Sequence, residues 1–230
     1  MKLEVRRGDL VAQRAGAWVV GVLEAGGPLG GAARAVDRAT RGALAALLDS
    51  GDFTGRWLEL ALLHPGHPRT RRVIVVGLGS RAALTPHRVR LAMAAATRRA
   101  RELGAGTVAT VAHGASAGGL DPIVALTATV EGARLGHERL TAFKTEPGPK
   151  PLVRITIFER WKPISARQRR AVARGDAIAS GTCLARDLAN TPGDALPPDA
   201  LARRARVARD LAGASVQVLG VPQMTRLGMG

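Results

Sequence analysis

Short apolar runs alternate with amphipathic stretches along most of the chain. Lys2–Arg6 alternates weakly, as a strand does, and Trp18–Leu23 is an apolar run that ends at a glycine cluster. From the glycines at 26–31 to about Leu48, apolar positions such as Val36, Ala39, Ala43, Leu44 and Leu47 recur at helical spacing. Trp57–His64 reads as a strand followed by a turn at Pro65–Pro68. Arg72–Gly77 is rich in β-branched residues and almost uninterrupted, the pattern of a strand buried on both faces. Thr85 and Pro86 supply an N-cap and a first-turn proline for a helix ending near Leu103 and Gly104. Thr107–Ala112 predicts a strand, Leu120–Leu140 a helix, Thr145–Pro151 a proline-rich loop and Leu152–Phe158 another strand.

Ser165 and Gln168 have the spacing of a capping box, and a long helix is expected from about Ala166 to Leu188. Pro192 disfavours helix at the residue before it and stops the run. Pro198–Leu211 predicts a further helix, Ser215–Leu219 a strand, and the last residues the start of one more helix. Strands alternating with helices define an α/β fold with a parallel or mixed sheet covered on both faces. A domain boundary is expected near residue 160.

Composition narrows the function classes. Apolar residues make up 46% of the 230, enough for a packed body, and no apolar run approaches the roughly 20 residues that span a bilayer. No membrane association is expected, and the N-terminus lacks signal-peptide features. Cys183 is the only cysteine, so an intramolecular disulfide and a cysteine-based zinc site are excluded; its apolar helical context predicts a small buried hydrophobe. The formal charge of +16 fits either a polyanion such as DNA or an arginine-rich coding composition with a solvated surface. Lys2, Lys144, Lys150 and Lys162 are the only lysines, and the absence of tyrosine leaves few stacking platforms for single strands.

Candidate chemistry is sparse. Gly77–Ala82 matches the loose G-x-G-x-x-A dinucleotide pattern, but Pro86 starts the helix several residues after the loop, and the tight exit of a strand is the better reading. Gly26, Gly27, Gly30 and Gly31 form a glycine-rich loop able to cradle phosphate, or simply to turn a strand into a helix. His64, His67, His87, His113 and His137 lack metal-ligand spacing, and Asp187, Asp194 and Asp199 suit caps and turns. Arg167, Arg170 and Arg174 share one helix face, as do Arg203 and Arg206, giving possible polyanion contacts or a solvated surface.

Four segments in order resemble the leucyl (cytosol) aminopeptidases, peptidase family M17. Val73–Gly79 is similar to the family's V-G-L-G strand, and Glu131–Lys144 to its E-G-x-x-L-x-x-Y-x-F-x-x-Y-K helix end. Arg186–Pro192, continuing through Ala202, carries its R-x-L-x-N-x-P spacing, and Leu227–Gly230 is similar to its next turn. The resemblance implies a three-layer mixed-sheet domain resembling a macro domain over 1–160, a connecting helix over 161–189, and the truncated start of a catalytic domain over 190–230. It further implies two divalent ions, Mn or Zn, a peptide substrate and a homo-hexamer for the complete enzyme; a cytoplasmic location is the default expectation from the missing signal-peptide and membrane features. The family's V-G-K-G-x-x-F-D-S-G-G and N-T-D-A-E-G-R-L motifs occur nowhere here. No catalytic and no metal residue is therefore assigned, and the chain is expected to be an inactive fragment alone. The alternative is a stand-alone macro-like module for DNA or ADP-ribose-like ligands.

Overall fold

The structure is a computed structural model that describes residues 1–24, 29–115, 118–139, 143, 145, 148–160, 163–212 and 214–229. The chain divides into two compact units, Met1–Cys183 and Leu184–Gly230.

The first unit is built on a six-stranded sheet: β1 (Lys2–Arg7), β2 (Ala17–Leu23), β3 (Leu60–Leu63), β4 (Val73–Gly79), β5 (Thr107–Thr110) and β6 (Arg154–Glu159), in the order β1-β6-β5-β2-β4-β3. Every pairing is parallel except β3 with β4, so the mixed sheet carries one antiparallel edge strand. The period-two rule sends alternate residues of each strand to opposite faces. On one face Ala17, Val19, Ile74, Val76 and Ile155 meet Val89, Met93 and Ala96 of α3 (Pro86–Glu102) and Ala128 and Ala133 of α4 (Pro122–His137). On the other, Trp18, Val20, Val73 and Val75 meet Val36 of α1 (Gly31–Ala39) and Leu44 of α2 (Ala43–Asp49). The result is the three-layer α/β architecture that the alternating pattern predicts. The first half of α5 (Ala166–Ala189) joins the α4 face, where Ala171 and Val172 pack with Leu126, Val130 and Ile157. The division between the units thus falls inside α5.

The α3–α4 seam is unusually close because glycines face it. A Cβ at Gly132 would lie 2.2 Å from the Arg90 carbonyl oxygen, and one at Gly136 2.2 Å from that of Ala94. Arg90 pairs with Glu131 across the seam at 2.9 Å. Arg101 reaches over to bond the carbonyls of Gly136, His137 and Glu138, which the end of α4 leaves without helical partners. On the opposite flank of α4, Arg134 binds Asp176 of α5 at 2.6 Å. At the sheet edge Glu4 pairs with Lys2 and Arg6 and accepts a bond from Thr156. Burial raises its carboxyl, but these partners outweigh that and hold it below the usual range.

The structure corrects three expected elements. The helical region before Leu48 is two helices: Arg41 and Gly42 adopt left-handed φ values of 57° and 84°, and Asp37 accepts a bond from the Ala45 amide at the start of α2. The strand expected over Trp57–His64 shrinks to Leu60–Leu63, because Leu58 is left-handed (φ 68°) and Glu59 folds back onto the amides of Thr54 and Arg56. Ser215–Leu219 forms no ladder with any strand among the described residues. Ser165 and Gln168 do form the reciprocal capping box, and Cys183 is buried.

The second unit holds α6 (Pro198–Ala212) and α7 (Val221–Arg226). Among its described side chains none is buried, and Leu201, Val207, Val218 and Val221 are exposed. Helices this short draw most of their stability from a packed apolar face.

Two measurements test this account. In chemical denaturation, Gly132→Val is expected to cost roughly 1–3 kcal/mol by overpacking the seam. Gly181→Ala, mid-helix in α5 with open space around its Cβ, is expected to add about 0.5–1 kcal/mol. In hydrogen exchange, α6 amides of this chain are expected to exchange far ahead of those of β4; equal protection would contradict the absence of a core there.

Candidate functional site

β2 lies between two parallel neighbours, and its connection leaves the sheet on the opposite face from theirs. β2 leads into α1, whereas β4 and β5 lead into α3 and α4 on the other side. Strand ends whose connections diverge in this way leave a crevice beyond the carboxyl edge, the usual ligand position in open α/β sheets. A cleft of about 470 Å³ opens there. Val20, Val22, Leu29, Leu78 and Val111 supply its apolar wall, and Glu24, Ser80, Arg81 and His113 its polar groups.

The first turn of α1 lines the same cleft through Gly30, Ala32 and Ala33. The amides of residues 31–33 precede the first helical hydrogen bond, which runs from Arg34 N to the Gly30 carbonyl. Gly30 occupies the N-cap and has no side chain to satisfy them. Gly31 has φ +47°, a conformation that favours glycine at this strand-to-helix turn. A second hollow of about 230 Å³ adjoins, sharing Ala32, Val111 and Ala112, with Asp9 and Arg160 paired at 3.2 Å on its wall.

His113 is 3% exposed and belongs to a buried polar chain. The Thr110 hydroxyl donates to the Val19 carbonyl at 3.0 Å and lies 3.0 Å from His113 Nε2. The single hydroxyl proton is committed to Val19, so Nε2 carries the imidazole proton and Nδ1 is an acceptor. The backbone N–H of His113 donates to Thr129 Oγ1, which itself donates to the Ala125 carbonyl. Burial lowers the His113 pKa to about 4, so the ring is neutral at physiological pH. Gly21 makes room for the ring: a Cβ there would sit 2.9 Å from Nδ1 and 2.8 Å from Leu78 Cδ1.

The residues singled out by sequence fall in several places. Gly30 and Gly31 are on the cleft, while Gly26 and Gly27 lie outside the described residues. The glycines of the G-x-G-x-x-A stretch serve packing: a Cβ at Gly77 would meet the Arg56 carbonyl oxygen at 1.8 Å, and one at Gly79 would meet Trp57 Cβ at 3.1 Å. Arg167, Arg170 and Arg174 are exposed on α5 in the first unit, and Arg203 and Arg206 are exposed on α6 in the second. Metal-spacing motifs single out none of the cleft's polar groups. The signal for His113 was its position just past a strand, beside Gly114.

No three His, Cys, Asp or Glu side chains converge on a possible metal position among the described residues. The acids nearest the R-x-L-x-N-x-P segment have local duties. Asp194 Oδ1 accepts the Ala195 amide, and the Asp187 carbonyl accepts the Thr191 hydroxyl. These residues do not fit a two-metal centre, so no hydrolytic step is derived from them. Among the described residues no helix is long and apolar enough to cross a membrane.

Fold and cleft define a three-layer α/β domain with a ligand-sized crevice at the strand ends. Residues 19–147 match the family model described as "Cytosol aminopeptidase family, N-terminal domain". The chain is 37% identical to a probable cytosol aminopeptidase of Roseiflexus castenholzii over 80% of its length and 38% of that relative. It is 31% identical to that of Methylobacillus flagellatus over all of its length and 47% of that relative. Among solved structures, the bottromycin maturation enzyme BotP aligns with TM-score 0.71 and 29% identity, covering 93% of this chain and 41% of BotP. A tomato leucine aminopeptidase mutant aligns with TM-score 0.82 and 23% identity over the whole chain and 46% of its own, a likeness of fold. The chain therefore belongs to the cytosol aminopeptidase family, whose N-terminal domain it carries. It spans about half the length of the curated relatives it matches.

The buried imidazole gives a pH test. Its folded pKa is depressed, so between about 4 and 6.5 the unfolded chain binds the extra proton. Stability is full above that window and falls as pH drops through it, by up to about 3 kcal/mol for this group. Urea denaturation from pH 7 to pH 4.5 is expected to show this slope, and His113→Gln to flatten it.

Proposed function

We propose that these 230 residues are the N-terminal part of a leucyl aminopeptidase that removes N-terminal residues from peptides. Family membership carries this reading. The groups that activate water and hold the substrate amine would come from the rest of such an enzyme, with the two divalent ions, Mn or Zn, bound there. BotP, a relative by sequence and fold, has been solved in complex with Mn. The first unit supplies a rigid platform, with α5 connecting it to the start of the catalytic domain at about residues 161–189 and 190–230. An unpacked second unit supports this reading, since its exposed apolar side chains suit burial against further polypeptide. Alone, the chain is proposed to be inactive. The complete enzyme is proposed to be a cytoplasmic homo-hexamer, in keeping with relatives named cytosol aminopeptidases.

The cleft supports a second reading, in which the first unit is a binding module for ADP-ribose-like ligands. The exposed arginines of α5 and α6 leave DNA as the further partner of such a module.

The intact mass of the native protein in its source cells separates these readings. A species about twice as long as 230 residues, hydrolysing leucine p-nitroanilide with added Mn while the 230-residue chain does not, is the expected result. A native species of 230 residues would overturn the aminopeptidase reading and leave the binding module.

A further inference from the structure

Two opposite charges line the cleft beyond β2 without pairing. Glu24 follows β2, and its backbone N–H donates to the Gly79 carbonyl at 3.0 Å, which sets it beside the last residue of β4. Arg81 comes two residues after Gly79, so the acid and the base leave adjacent strand ends and border one cleft. Among the described residues neither side chain has a hydrogen-bond or ion-pair partner. By contrast Glu4, Glu131 and Asp176 each hold a basic partner. Much of the remaining wall is apolar, from Val20, Val22, Leu78 and Val111, and the neutral His113 ring adds no third charge. An anion alone would meet the half-buried Glu24 carboxylate, and a cation alone the guanidinium. A neutral apolar ligand would strip water from both charges and give neither a partner. A ligand with both charges on an apolar body satisfies all three parts of the wall.

We propose that this cleft binds a small zwitterion with an apolar side chain, the chemistry shared by a free apolar α-amino acid and a short apolar peptide. The ligand's ammonium group meets Glu24 and its carboxylate meets Arg81, whose planar fork of donors suits a carboxylate. Its side chain lies against Val22 and Leu78. The volume of about 470 Å³ is in the range of small-molecule sites. Such binding belongs to the 230-residue chain itself. It requires neither the hydrolytic activity of a longer chain nor an ADP-ribose-like ligand.

Isothermal titration of the 230-residue chain at pH 7.5 and low salt tests it, with leucine and dileucine as probes. At least one is expected to bind saturably, at roughly 0.1–1 mM for so few atoms. Tighter leucine would mark the free amino acid as the source of the shared chemistry, and tighter dileucine the peptide. The amide of the tighter probe, which lacks the carboxylate, is expected to bind about tenfold more weakly or worse, and so is its N-acetyl derivative, which lacks the ammonium. Two variants assign the contacts. Arg81→Gln is expected to bring the probe down to the affinity of its amide, and Glu24→Gln to that of its N-acetyl derivative. Both are expected to keep the melting temperature, since neither side chain has a partner in the described fold. Unchanged affinity in either variant, or an amide that binds as tightly as the probe, would overturn the assignment. Saturable ADP-ribose binding with neither probe bound would overturn it too and leave the binding-module reading standing. No binding of leucine, dileucine or ADP-ribose would remove both and leave the aminopeptidase reading untouched.

Discussion

The burial of β2 on both faces and along both edges is the constraint on which the first unit depends. Trp18 and Val20 face α1 and α2 while Ala17 and Val19 face α3 and α4, and parallel ladders run to β4 on one side and β5 on the other. A strand so enclosed must be apolar throughout, and its polar backbone must be paired on both sides. Its only outlet is the carboxyl end, where the chain turns to one face while its neighbours turn to the other. The cleft is the geometric residue of that divergence. Gly21, within the strand, is where the enclosure yields enough for His113 to lie against the backbone.

Much of this was legible in the amino-acid sequence. The runs at Trp18–Leu23 and Arg72–Gly77 read as buried strands, and the caps at Thr85 and Ser165 mark helix starts found within a residue. What failed was local and had local causes. A left-handed break at Arg41 and Gly42 leaves the apolar periodicity on either side intact, so two helices read as one. Leu58 takes a left-handed φ at the start of the expected strand, and no propensity records that. The glycines at 77 and 79 look like a phosphate loop until the chain near Arg56 is seen lying on them. His113 was harder still. Its character comes from Thr110 and Thr129, the second of which arrives from α4, and a hydrogen-bonded relay across elements has no sequence period.

The two units differ in kind. Met1–Cys183 is closed by helices on both faces, with glycine seams and charged clasps fixing α4 between α3 and α5. Leu184–Gly230 has formed helices without burying any of its described side chains. The R-x-L-x-N-x-P segment lies in this second unit, while the match to the family model, residues 19–147, lies in the first.

The charges on β1 have a consequence beyond stability. Among the described residues β1 ends the sheet and pairs with β6 alone, and an unpaired strand edge is a template on which another chain can add a strand. Here Glu4 gathers Lys2 and Arg6 from its own strand and lies 3.9 Å from Arg154 of the next. A second β1 approaching edge to edge would bring basic side chains against basic side chains and displace paired ones. The same residues that settle a carboxylate in the fold therefore keep the sheet from growing into a fibre.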